Sequence, residues 1–175
     1  MGENRTRAAC RGSGLKAELR LRRKEREISN RSLIDEIIHG SKVCHLGLAI
    51  NNEPYVVPLS FGYDGSSLYF HTAMNGQKID FIESNPRICF EMIRSHSVLT
   101  DEVIACKWTA SYESVIGYGL MHELVSPEDK IHGLNQIMIH YSGREWEFES
   151  TIVSRTRMWR LDIESVSGKR SSICS

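Results

Sequence analysis

Six residues between positions 71 and 78 carry the side chains best suited to chemistry: His71, Thr72, Asn75, Gly76, Gln77 and Lys78. Together they put an imidazole, a hydroxyl, two carboxamides, a glycine and one fixed cation where the pattern turns from a strand into a helix. Free amides at a helix start, a nearby hydroxyl and a lysine make a phosphate cradle. The plainer reading is a polar strand-to-helix loop that binds only water, with Lys78 as an exposed helix-start lysine. His71 interrupts a largely apolar strand. It is either a functional imidazole or a satisfied, partly buried side chain. Other chemistries find less support. His39, His45, His96, His122, His132 and His140 lack zinc-type spacing, and no Gly-x-Ser-x-Gly or Walker-type loop occurs.

The elements that must position this stretch begin at Pro54. Residues 54–61 are rich in β-branched and aromatic side chains, with Tyr55, Val57, Leu59 and Phe61 on one face at period two. Asp64-Gly65 signals a tight reversal, and 67–73 returns as a strand. A short helix follows over 77–83, with Ile79 and Ile82 buried, and Asn85-Pro86 stops it. Upstream, a helix over 31–39 is capped by Ser29 or Asn30 and ended by Gly40. It carries Leu33, Ile34, Ile37 and Ile38 on one side. A strand over 43–50 then turns at Asn51-Asn52. Downstream, 87–93 alternates as a strand, 95–109 is a long connection, and 109–124 is a strand bent at Gly117 and Gly119. Ser126-Pro127 opens a helix to about His140 with an apolar stripe of Ile131, Leu134, Ile137 and Met138. Residues 141–155 give no clear pattern. Over 157–163, Trp159, Leu161 and Ile163 form the apolar face of a strand and Met158, Arg160 and Asp162 the other. From Ser165 the small polar residues predict a frayed tail. Six strands with only short helices between them predict a mainly β, antiparallel barrel.

At 175 residues and 41% hydrophobic, the chain is long enough for one domain with a substantial core. Its zero net charge is unevenly spread. Residues 1–24 hold eight cations against Glu3 and Glu18, a net +6, which leaves −6 on the remainder. This predicts a flexible basic extension over 1–24, a domain over 25–170 and a flexible tail over 171–175. An acidic body argues against nucleic acid as the main partner. The absence of a long apolar run argues against a membrane span. Five widely spaced cysteines without a Cys-x-x-Cys pair fit a reducing cytoplasm better than a disulfide framework.

The order VVPLSFGYDGSSLYFHTAMNGQKIDFIESNPRICFEM, followed by CKWTASYESVIGYGLMHEL and RMWRLDIESVSGKR, resembles the FMN-binding split-barrel superfamily of pyridoxamine 5'-phosphate oxidase. Within it, the chain is most similar to the nitroimidazole-resistance (Nim-type) reductase branch. The resemblance spans about residues 22 to 170. It implies a six-stranded split barrel that pairs as a homodimer with flavin at the interface. It also implies a phosphate pocket of Thr72, Asn75, Gly76, Gln77 and Lys78. Val57, Pro58, Leu59 and Ser60 would lie along the ring, beside Phe70. Tyr112 and Ser114 would reach the cofactor from the other long strand, and Trp108 would cover the ring or fill the dimer interface. By the same resemblance, His71 lies beside the ring as the catalytic residue. The plainer reading makes Val57–Ser60 core, and Tyr112 and Ser114 alternating barrel positions.

The expected function is that of a flavin-dependent oxidoreductase reducing small aromatic or nitro compounds. FMN is the expected cofactor, with FAD as the alternative. The rival from another class is a flavin- or haem-binding protein without turnover of its own, with His71 or another histidine on iron. Oxidation of a phosphorylated vitamin fits less well, because the basic C-terminal cluster expected for that substrate is missing.

Overall fold

The computed structural model describes residues 24–171. The basic extension expected over 1–24 and the tail expected over 171–175 therefore lie outside the described residues, except for Lys24 and Ser171. After a short 3-10 turn, the elements are β1 (Glu27–Ile28), α1 (Arg31–Gly40), β2 (Cys44–Ile50), β3 (Glu53–Leu59), β4 (Gly62–Tyr63) and β5 (Ser67–Thr72). They continue with α2 (Gln77–Ser84), β6 (Arg87–Leu99), β7 (Thr109–Leu124), α3 (Pro127–Ser142), α4 (Ser150–Ser154) and β8 (Arg157–Ser171). One antiparallel sheet runs in the order β3-β2-β6-β7-β8-β5-β4, with β1 on β8. Among the described residues the count is therefore eight strands rather than six. The two additions are β1 and β4, each two residues long.

Local chemistry accounts for the boundaries. Asn30 caps α1 by accepting from the Leu33 amide at 3.3 Å. Gly40 is the last helical residue rather than the stop, and Ser41 closes the helix in extended conformation. Asn51 and Asn52 both take positive φ, as the β2–β3 hairpin requires. In the next reversal, the Asp64 carboxylate accepts from the Ser66 and Ser67 amides and from the Tyr69 hydroxyl. Ser126 caps α3 by accepting from the Asp129 amide and donates its hydroxyl to the Asp129 carboxylate, and Gly143 ends the helix in the left-handed region.

The main core lies inside the barrel. Ile34, Ile37 and Ile38 of α1 pack there with Leu46, Val57, Phe61, Phe70, Phe90, Trp159 and Leu161. A second, smaller cluster unites Tyr69, Leu124, Ile137 and Met158 under α3. Met158 is thus buried, against the expectation of a polar outer face at the start of β8, because a helix covers that face. Ile131 is more exposed than its place in the expected stripe implies.

Two further expectations are corrected by strand pairing. The connection expected over 95–109 is shorter: β6 and β7 stay paired out to Leu99 and Thr109, leaving 100–108 as loop. The tail expected to fray from Ser165 continues β8 to Ser171, held by β7 and β1. The bend expected at the β7 glycines is present as a register shift between Tyr118 and Gly119. Residues 143–149 connect α3 to the short α4.

Candidate functional site

β5 delivers the candidate stretch. Phe70 and Thr72 face inward and are buried, while His71, between them, is exposed, as strand alternation requires. Past Thr72 the chain turns through 73–76 into α2. Gly76 occupies the N-cap with φ of 139°, a region open to glycine, and a Cβ there would meet nothing within 4 Å. No side chain caps α2. Its first amides face the same loop that holds Asn75, Gln77 and Lys78. Among the described residues, Lys78 and His71 make no hydrogen bond or ion pair, so both are unengaged side chains at this loop.

Thr72 is engaged. Its Oγ1 donates to the Ala73 carbonyl at 3.0 Å and accepts from the Trp159 indole N–H at 3.0 Å. Trp159 lies opposite Phe70 in the β5–β8 register. Arg157 sits 4.7 Å from the Trp159 ring centroid and donates to Glu123 of β7 and Glu83 of α2. Glu123 is held below the usual carboxylate range by these hydrogen bonds, and Arg157 is pushed up by them. Sequence reasoning placed Trp159 on the apolar face of a strand without tying it to this loop and gave Arg157 no role, since nothing local to Thr72 signals a partner 87 positions away.

The remaining candidates fall into two groups. Val57 is core, Leu59 is half-buried, and Pro58 and Ser60 are exposed. Strand β3, which carries the first three of these, is one end of the sheet path, and α2 reaches its side of the barrel through the Tyr55–Phe81 ring pair, 5.2 Å between centroids. Trp108, Tyr112 and Ser114 sit instead on the β6–β7 hairpin. Trp108 is 54% exposed, and its indole N–H donates to the Asp101 carbonyl. Ser114 pairs with Lys169, whereas His71 pairs with Met158, eleven residues away along β8. That separation is roughly 36 Å of strand at about 3.3 Å per residue. One chain therefore does not bring the hairpin residues to the loop. Burial pushes the Tyr112 phenol up, but hydrogen bonds with Arg26 and Lys169 bring it below the usual tyrosine range. Beside it, Glu113 is clamped between Arg94 and Arg170 and is likewise held low.

Among the described residues, no cluster of three metal-ligating side chains occurs, and no helix is long and apolar enough to cross a membrane. Cys44, Cys89 and Cys106 are free thiols.

The pyridoxamine 5'-phosphate oxidase family model matches residues 30–170, and the chain belongs to that family. Its structure is similar to a candidate 5-nitroimidazole antibiotic resistance protein from Bacteroides thetaiotaomicron. That protein is 27% identical, with 82% of this chain and 85% of that one covered and a TM-score of 0.74. An FAD- and haem-binding protein from Mycobacterium smegmatis shares the fold at 14% identity and a TM-score of 0.74, covering 84% of this chain and 74% of that one. An uncharacterised protein of Rhizobium meliloti (strain 1021) is 28% identical over 65 residues, 37% of this chain and 42% of that protein. The chain thus matches less than half the length of that relative.

Proposed function

We propose that this protein is a flavin-dependent oxidoreductase that binds FMN and reduces small aromatic or nitro compounds. The observation that carries the reading is the loop from Thr72 to Lys78. There an uncapped helix start, a positive-φ glycine with open space beside it and a lysine without a side-chain partner follow one another in the chain. This donor set, backbone N–H groups and one cation, fits a phosphate monoester, with Asp80 in the first turn of α2 the nearest carboxylate in sequence. The candidate nitroimidazole-resistance relative supports nitro compounds as the substrate class.

A bound flavin, reduced by a nicotinamide or another electron donor, would supply the hydride chemistry. The chain's own residues would do the rest. Lys78 Nζ and the first α2 amides would hold the phosphate. Val57 to Ser60 would lie along the ring. The exposed His71 imidazole would orient the substrate or deliver a proton from a ring nitrogen. Trp108, Tyr112 and Ser114 would complete the site from a second copy of the chain. Their separation from His71 within one chain supports such a homodimer. So do the apolar side chains that the β6–β7 hairpin leaves exposed, among them Val98, Val103 and Ile104.

The visible absorption spectrum of the purified protein, with release of the chromophore, tests this. Paired near-ultraviolet and blue bands that release FMN support the reading. A single intense haem band would move the assignment to haem handling. A colourless protein that takes up neither FMN nor FAD refutes it.

A further inference from the structure

We infer that Arg157 and Trp159 form a clasp that sets the shape of the Thr72–Lys78 loop from behind. They act as positioning residues for whatever phosphate the loop holds. The inference rests on the flavin reading above and adds to it two residues that the site's own stretch does not contain.

The clasp holds the loop's entering end directly and reaches its leaving end only through α2. At the entering end, the single Thr72 hydroxyl hydrogen is committed to the Ala73 carbonyl, and one lone pair takes the Trp159 N–H. This fixes the rotamer of Thr72 and the direction of the first loop peptide. Trp159 is 3% exposed within the barrel core, so its own orientation is set by packing. Past the leaving end, Glu83 in the last turn of the short α2 accepts from Arg157 at 2.7 Å. The same guanidinium makes two bonds to Glu123 on β7, at 2.6 and 2.5 Å. Its planar fork lies over the Trp159 ring at 4.7 Å, within cation–π range. One residue thus ties α2 to the sheet and stacks on the indole that fixes Thr72. Gly76 gives the loop freedom and α2 has no side-chain cap, so little inside the loop itself holds its form. Preorganised donors bind a phosphate better than donors that must be ordered on binding.

The test is a flavin titration of apo-protein with two ligands, FMN and riboflavin, which differ only in the phosphate. The variants are Trp159→Phe, which keeps the ring and removes the N–H, and Arg157→Lys, which keeps the charge and removes the fork. Losing one hydrogen bond's worth of ordering predicts about five- to tenfold weaker FMN binding for each. Riboflavin affinity should stay within about twofold of wild type, since the ring contacts are untouched. The FMN-to-riboflavin ratio is the decisive readout, because general loosening of the barrel would weaken both ligands together. Equal losses, or no change for either ligand, overturn the clasp while leaving the flavin site standing. Wild-type protein that binds neither FMN nor FAD overturns the flavin reading and the clasp with it. Should Trp159→Phe fail to fold, Arg157→Lys decides, as its side chain lies outside the core cluster.

Discussion

Gly117 of β7 lies opposite Phe90 of β6, and replacing it with alanine tests how tightly the barrel core is closed. A Cβ at 117 would stand 2.2 Å from Phe90 Cζ, 2.5 Å from Cε1 and 2.7 Å from the Ser165 carbonyl oxygen. Ordinary carbon contacts fall at about 3.5–4.0 Å, so the ring would have to retreat by roughly 1.3 Å or more. Phe90 is fully buried and has nowhere to go. Gly117→Ala should therefore cost about 3 kcal/mol, the upper end of ordinary overpacking. In a domain of this size that lowers the melting temperature by about 6–12 °C. Phe90→Leu alone should cost about 1.5 kcal/mol, less than a truncation to alanine. In the double variant the shorter side chain makes room, so the two losses should fall short of their sum by about 1–2 kcal/mol. Rescue stays incomplete because the Ser165 carbonyl belongs to the paired backbone of β8. Urea unfolding followed by tryptophan fluorescence measures all three variants. Additivity within about 0.5 kcal/mol, or a Gly117→Ala protein as stable as wild type, would refute the packing argument.

Three other outcomes are expected. Lys78→Ala should weaken FMN binding about 10- to 100-fold with little change for riboflavin, and the wild-type preference should shrink as salt rises; fluorescence titration checks this. Tyr63→Phe removes a hydroxyl that donates to Asp35 and accepts from Arg31, both at 2.6 Å, and should cost about 1–2 kcal/mol in urea unfolding without affecting flavin uptake. His140 is pushed down by burial and by nearby Lys42 and His39, against the pull of its hydrogen bond to the Ser41 carbonyl. Its folded value lies below its unfolded one, so its contribution is complete above about pH 6.5 and is lost as the pH falls below that. Melting curves between pH 7.5 and 5.5 should show this loss, at no more than about 1.4 kcal/mol per pH unit. His140→Gln should flatten it.

Much of this architecture is legible in residue periodicity, and the exceptions have causes. Tyr55, Val57, Leu46, Ile88 and Phe90 alternate because one face of their strands meets the core. Strand β6 beyond Ile93 reads Arg-Ser-His-Ser-Val and shows no apolar face, because that arm runs past the core it would otherwise have to match. The second half of β8 is hidden for a similar reason: Ser165, Ser167 and Lys169 are held by backbone pairing with β7, to which side-chain type is a poor guide. Strand β4 is too short to show any period. At the candidate site, His71 to Lys78 are legible because they are contiguous. Arg157 and Trp159 are not, because their importance comes from a register that brings β8 against β5 and β7 at once.

That position of β8 has a consequence for how the protein is made. It is the strand on which β7, β5 and β1 all pair, and it leaves the ribosome after all of them. Until about residue 157 has emerged, β5 and β7 present unpaired edges and the Phe70 and Phe90 side chains lack the wall that Trp159 and Leu161 supply. The nascent chain therefore passes through a stage of exposed edges and apolar surface in which barrel closure cannot begin. Such late, long-range pairing folds slowly and invites association in the interval. Folding of this domain therefore waits on β8, and shielding of that interval by chaperones should govern its yield in cells.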